Sequence, residues 1–291
     1  MASGLISLVD PDLAATGFAS AFLLGRTLFS TEDSQGRVFQ SGHRISVSQL
    51  QTETVIVERV IAGRPVRNTI LRCIPINEFE TLKPHLRSTQ LQLAAALQRE
   101  YLKIRFACFV NGGIASLLVQ TDDGRSVEVG IAGREDMIGL PLIAGLSSYS
   151  HSVIMQVPGE GFMIEGGALQ GLLPSLPELS NILVRRLGIR SLQLAQNAAC
   201  NRLHSVKQRV ARWLLAVHDR IDSDMVRTTH DFLAKLVGTD RPSVSIAVAQ
   251  LERSGIRRGR ATIHIVQREQ LERQACECYA ALQRFDKELG L

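Results

Sequence analysis

The chain has 291 residues, 45% of them apolar and 21% charged, the proportions of a folded protein large enough for two domains. Its net charge of +5 is uneven: from Cys200 onward sixteen Lys/Arg face eleven Asp/Glu, while the first 199 residues hold seventeen of each, so a polyanion would be met in the C-terminal third. No run reaches the eighteen or so apolar residues of a membrane helix, and five cysteines form no disulfide framework at this length, which predicts a cytoplasmic protein with no membrane partner.

Residues 1–66 carry scattered Gly, Ser and charge with weak periodicity, and read as a poorly ordered N-terminal extension without assignment. Within them Gln51 to Ile61 fits a strand or a helix. The weak patterning also fits a segment lying upstream of the folded protein. A short helix is expected from Ile76 to Leu86, between Pro75 and Pro84. From Leu91 to Ile164 the pattern becomes one of short strands. Ile114, Ser116 and Leu118 alternate with Ala115, Leu117 and Val119, and Asp122-Asp123-Gly124 joins them to Val127-Glu128-Val129-Gly130-Ile131. Asp-Gly between alternating runs is a strong hairpin signal, and many short strands punctuated by Gly and Pro indicate a sandwich or barrel.

Pro174 and Pro177 introduce a long helix. Leu179, Ile182, Leu183, Val184, Leu187, Ile189, Leu192 and Leu194 cover more than one narrow stripe, so two of its sides need covering. A second helix spans Ser205 to Arg220. Thr229 then precedes Phe232, Leu233, Leu236 and Val237, one side of a helix ending at Gly238. Thr239 or Asp240 caps the next helix, with Pro242 in its first turn, where a missing N–H costs nothing. Val244, Ala247, Val248 and Leu251 face the core, leaving Arg241, Ser243, Ser245 and Gln250 outward, and Gly255 closes the helix. The basic run Ile256-Arg257-Arg258-Gly259-Arg260 and the strand Ala261 to Val266 follow. Helix, turn, helix and basic wing is the layout of a module that lays its second helix in the DNA major groove. Leu271, Ala275, Cys278, Leu282 and Phe285 predict one closing amphipathic helix.

Several runs carry a resemblance: Leu203-His204-Ser205-Val206-Lys207-Gln208-Arg209-Val210-Ala211-Arg212-Trp213-Leu214-Leu215, Thr229-His230-Asp231-Phe232-Leu233-Ala234, Arg241-Pro242-Ser243-Val244 and Ala275-Cys276-Glu277-Cys278-Tyr279. Together they resemble the C-terminal half of bacterial Crp-Fnr-type transcription regulators. Upstream, Gly112-Gly113-Ile114-Ala115-Ser116-Leu117-Leu118, Asp123-Gly124-Arg125-Ser126-Val127-Glu128-Val129 and Gly133-Arg134-Glu135-Asp136-Met137-Ile138-Gly139 resemble that family's sensory β-roll. The resemblance spans roughly residues 67–285. It implies an α+β chain: a double-stranded β-helix (a jelly-roll, cupin-like β-roll) at 67–175, a dimerisation helix at 176–199, and a winged helix-turn-helix at 200–285. It further implies a homodimer that reads an inverted repeat in double-stranded DNA and works with RNA polymerase.

Recognition requires contacts to phosphates for register and to base edges for sequence. Arg241 at the start of the second helix suits two hydrogen bonds to a guanine. Ser243 and Ser245 are short donors, and Thr229 and His230 open the first helix, where N–H groups favour a phosphate. Arg257, Arg258 and Arg260 on the wing are expected to follow the backbone. The best-known relatives carry a Glu directly after the recognition Arg and another Arg four residues on. Pro242 and Ile246 stand there instead, and Ile246 suits a thymine methyl but no hydrogen bond, so their operator does not transfer.

In cyclic-nucleotide-binding relatives a Glu follows the glycine of the Gly-Asp-Phe-Ile-Gly-like turn, and an Arg-Ser pair holds the phosphate. Here Leu140 follows Gly139, and the later position falls near Ser150-His151-Ser152. Cyclic AMP is therefore not expected, and the effector is unknown. Cys73 and Cys108 read as core residues. Cys276-Glu277-Cys278 reads as packing, because i and i+2 on a helix face different sides and no second Cys or His pair lies near in sequence. A haem ligand at His85 or His151 has no support, and neither metal nor cofactor is expected. An enzyme is not expected either: a metal-dependent β-roll enzyme needs a His-x-His pair in its strands, and His218-Asp219 and His230-Asp231 are fragments of dyads whose members diverge. The stronger alternative is a sensory or protein-interaction module that has lost specific DNA binding.

Overall fold

Asp123 and Gly124 form the turn the sequence calls for, and around it the strands assemble. The computed structural model describes residues 58–288. Strands β1 (Val60–Ile61) and β2 (Arg64–Pro65) and helices α1 (Thr69–Cys73) and α2 (Ile76–Leu82) precede the roll. The roll comprises β3 (Arg87–Leu91), β4 (Ala96–Gln98), β5 (Phe106–Val110), β6 (Ile114–Gln120), β7 (Ser126–Ala132), β8 (Met137–Ile138), β9 (Ser152–Val157) and β10 (Gly159–Glu165). They pair antiparallel in two four-stranded sheets, ordered β3-β10-β5-β8 and β4-β9-β6-β7. Leu91, Val110, Ala115, Leu117, Val153 and Met155 pack as one buried cluster drawn from both sheets. Phe109 and Phe162 lie in a different cluster, with Phe79 of α2. Each such aromatic or aliphatic side chain, fully buried, contributes roughly 1.5–3 kcal/mol.

The described part of the predicted extension is not loose. Ile61 is 2% exposed, and the Arg59 guanidinium donates to the carbonyls of Leu71 and Ile74 while lying over the Phe79 ring. Residues 59–66 therefore belong to the folded roll rather than to a tail, a contribution their weak periodicity concealed. The rest of that segment, including the ambiguous stretch up to residue 57, lies outside the described residues. The short helix expected at Ile76 ends at Leu82 and gives way to a single 3₁₀ turn, Lys83–His85.

Helix α3 (Gly166–Leu172) leads into α4 (Pro177–Leu203), with Pro177 at its first position. Leu176, the residue before it, offers no side-chain cap. The Glu78 carboxylate supplies one from α2, accepting from the N–H groups of Glu178 and Leu179 at 2.9 and 2.8 Å. One face of α4 is pinned to the roll by buried charge: Asp136, wholly buried, accepts from Arg186 at 2.8 Å and also from Arg190.

The chain is extended at His204 and re-enters helix at α5 (Val206–His218), which opens on a capping box between Ser205 and Gln208. Strand β11 (Met225–Arg227), helices α6 (His230–Val237) and α7 (Arg241–Leu251) and strands β12 (Ile256–Gly259) and β13 (Thr262–Ile265) complete a winged helix-turn-helix. The three strands form one sheet, β11-β13-β12. β13 is shorter than the predicted run because Ala261 takes a left-handed turn conformation, φ 54°. The core of this domain continues onto the roll, since Ile114, Leu118, Ile131 and Val157 pack with Trp213, Leu214 and Val237.

The closing helix is two helices, α8 (Arg268–Glu272) and α9 (Cys278–Glu288). Leu271 and Cys278 are seven residues apart, so each half keeps its apolar face whether or not the helix is continuous. Periodicity reported the faces and not the break.

Candidate nucleic-acid interface

Helix α6 is capped by Thr229, whose Oγ1 accepts from the Phe232 N–H at 3.1 Å. It stops at Gly238, φ 63°. Glycine is required there twice over, because a Cβ would also meet Val127 of β7 at 2.8 Å. Asp240 then caps α7, accepting from the Ser243 N–H at 2.7 Å. Val244, Ala247, Val248 and Leu251 are at most 2% exposed, which fixes the rotation of α7 and turns Arg241, Pro242, Ile246, Ala249 and Gln250 to solvent. Ile246 is 61% exposed, an unusual setting for a branched aliphatic side chain.

The predicted contact residues divide into two kinds. Arg241, Ile246, Arg257, Arg258 and Arg260 are exposed, as is Thr229, although its hydroxyl oxygen is engaged as a cap. Arg241 lies 3.6 Å from Asp231, and Arg258 lies 3.5 Å from Glu252. Such exposed pairs contribute little, on the order of 0–1 kcal/mol, and exchange readily for another anion. Arg257 and Arg258 are successive residues of β12 and leave opposite faces of the wing, so they do not form a single row.

His230 and Ser245 are half-buried and bonded to each other, Nδ1 to Oγ, at 2.9 Å. Burial first, then the charges of Arg258 and Arg241, hold the imidazole below the usual histidine range. A neutral His230 carries no charge for a phosphate. The pair braces the first turn of α6 against the middle of α7, and Ser243 is likewise only partly exposed. Arg253, exposed in the turn after α7, is a further cation next to the recognition helix in sequence that the sequence reading passed over.

The roll contains a cavity of about 540 Å³, lined among others by Tyr101, Leu140, Tyr149, His151, Leu187 and Arg190. Leu187, Arg190 and Leu194 come from α4, so whatever fills the cavity touches that helix. Its arginine is engaged with Asp136. The Tyr149 hydroxyl oxygen accepts from the Gly139 N–H at 2.7 Å.

Residues 208–274 match the Crp-like helix-turn-helix domain. Over 163 residues the chain is 31% identical to the CRP-like cAMP-activated global transcriptional regulator of Mycobacterium tuberculosis, an alignment covering 53% of this chain and 72% of that protein. FixK2 from Bradyrhizobium japonicum superposes with a TM-score of 0.57 at 15% identity, over 66% of this chain and 98% of that one. The c-di-GMP responsive global regulator CLP of Xanthomonas campestris does so with 0.57 at 18% identity, over 66% and 100%. The two structures establish the shared fold, and among the described residues no helix is long and apolar enough to cross a membrane. A roll, a long helix and a capped helix-turn-helix in this order, matched in sequence across most of a known regulator, place the chain in the Crp-Fnr family of DNA-binding transcription regulators.

Proposed function

We propose that the protein acts as a homodimer that reads an inverted repeat, one α7 from each protomer entering successive major grooves about one helical turn apart. The observation that carries this reading is a pair of exposed surfaces. One is the outward side of α7, where Arg241, with its exposed contact to Asp231, and Ile246 face solvent. The other is the stripe Val184, Gly188, Leu192, Ala195 and Ala199 on α4, exposed on the side away from Asp136. Small and apolar residues at three- and four-residue spacing let a symmetric copy of the same helix approach closely.

In this reading Arg241 addresses a guanine, Ile246 a thymine methyl, and Arg257, Arg258 and Arg260 the phosphates. Thr229, Ser243 and the bonded pair His230 and Ser245 set the angle at which α7 is presented. The domain limits proposed are 67–175 for the roll, with residues 59–66 added, 176–199 for the dimer helix and 200–285 for the reading head. RNA polymerase is the proposed further partner, and the cytoplasm the place of action.

The effector site we propose is the roll cavity, because its occupant would push on α4 directly. Cyclic AMP does not suit it: Leu140 follows Gly139, Ser150-His151-Ser152 occupies the place of the phosphate clamp, and Arg190 is committed to Asp136. Two of the three relatives described above respond to different nucleotides by name, so kinship alone assigns none. Binding would tilt α4 and reset the spacing of the two α7 helices, a two-state shift. Titration of the purified protein against its own upstream DNA and a scrambled duplex tests the reading.

A further inference from the structure

Three cysteines and one histidine meet where α4 ends. Cys200 lies in the last turn of α4, His204 is the extended residue that follows it, and Cys276 and Cys278 stand at the entrance to α9. Their ligand atoms all lie within 4.8 Å of one another. The Sγ atoms of Cys200 and Cys276 are 3.5 Å apart, and Cys278 Sγ is 3.5 Å from His204 Nδ1. All three cysteines are buried and form a cluster of their own, with no aliphatic side chain among its buried members.

We propose that these four residues bind one zinc ion. A tetrahedral zinc with bonds of about 2.3 Å to sulfur and about 2.0 Å to nitrogen sets its donors roughly 3.5–3.8 Å apart, and four donors within 4.8 Å enclose one ion. Three thiolates and an imidazole are the donor set of structural zinc sites. The surroundings are arranged for it. His204 presents Nδ1 to the sulfurs while its Nε2 faces the Glu277 carboxylate at 3.1 Å, the outer partner that orients a ligating imidazole. Gln196 donates to Cys278 Sγ at 3.0 Å. Arg209 and Arg212 lie within electrostatic reach of Cys200 and offset the net negative charge of a zinc with three thiolates.

The break between α8 and α9 explains how Cys276 and Cys278 serve together. On a continuous helix they would diverge, but Cys276 precedes α9 and Cys278 begins it, so both side chains turn inward. The ion closes a link between the dimer helix, the extended residue after it and the C-terminal helix. Binding exchanges thiol protons for zinc, and up to three protons pass to solvent.

The test uses the full chain and no DNA, so its outcome is independent of the reading head. Metal analysis of protein purified without chelator is expected to give one zinc per chain, released by a mercurial thiol reagent. Cobalt in its place is expected to give thiolate-to-metal charge-transfer bands with the strong d–d bands of a tetrahedral site. Both signals should disappear in Cys200→Ser and persist in Cys73→Ser, whose thiol is exposed and remote. His204→Gln should shift the d–d bands and weaken binding. Should a cysteine variant fail to fold, the cobalt spectrum of the wild-type chain decides alone. Absence of stoichiometric zinc both as isolated and after reducing incubation with zinc, or a cobalt spectrum without thiolate bands, would overturn the proposal.

Discussion

The Trp213 indole N–H donates to Glu128 Oε1 at 3.0 Å, joining α5 of the reading head to β7 of the roll through a buried carboxyl group. The other oxygen of Glu128 lies 2.6 Å from Ser116 Oγ, which is also 2.6 Å from Gln156 Oε1. One hydroxyl proton cannot serve two acceptors. A neutral Glu128 that donates to Ser116, which donates on to Gln156, satisfies all three groups; so does a Gln156 amide turned to present its otherwise unpartnered Nε2 to Ser116.

Burial, the largest influence, raises the Glu128 carboxyl to about 7, against the hydrogen bond from Ser116, the charge of Arg212 and the bond from Trp213. The native state therefore holds a proton that the unfolded chain releases from about pH 4.3 upward. The contribution of this group is full at lower pH and is lost as pH rises through 7. Glu128→Gln removes the titration while keeping an acceptor for Trp213. Calorimetry at pH 8 is expected to show the variant more stable than the wild type by roughly 1–3 kcal/mol, with the advantage shrinking as pH falls and vanishing below about pH 4. Parallel profiles for the two proteins would count against a neutral Glu128.

Arg241 makes an exposed contact to Asp231 at 3.6 Å. Arg241→Ala is expected to cost about 1–3 kcal/mol on the specific site and to relax preference at one base pair. A panel of singly substituted duplexes measures both effects, and unchanged specific affinity would mean that α7 docks differently.

Arg258 leaves the wing beside Glu252. Its replacement by Ala should weaken binding to every sequence alike and reduce the slope of log affinity against log salt by about one unit. A sequence-dependent loss would instead make Arg258 a base reader.

The α4 stripe bears on assembly. Leu192 and Val184 are exposed although apolar, so Leu192→Asp should leave the monomer folded and place a carboxylate against its symmetry mate. Light scattering is expected to give a dimer for the wild type and a mass near 32 kDa for the variant. A dimer that survives the change would move the interface elsewhere.

The reading head was legible because its signals are local. Thr229, Gly238, Asp240 and Gly255 stop or start helices within a few residues of the positions they control, and Val244 to Leu251 fix the rotation of α7. The hairpin at Asp123-Gly124 was legible for the same reason. What stayed hidden depends on distance along the chain. Cys200 and Cys276 are 76 residues apart, and only the fold brings them together, although Cys-x-x-x-His and Cys-x-Cys were both present as half-sites. Asp136 finds Arg186 and Arg190 some fifty residues later, and Trp213 finds Glu128 across eighty-five. His230 and Ser245 look like two DNA contacts in sequence because each lies near a helix start or an outward face. Their mutual hydrogen bond becomes visible only when α6 and α7 cross.

The central claim is that α7 reads sequence in DNA, and fluorescence anisotropy across a salt series tests it most directly. The account predicts tighter binding to the protein's own upstream duplex than to a scrambled one, affinity falling steeply with salt on both, and loss of the preference in Arg241→Ala. Equal affinity for the two duplexes at every salt concentration, unchanged by Arg241→Ala, would contradict it.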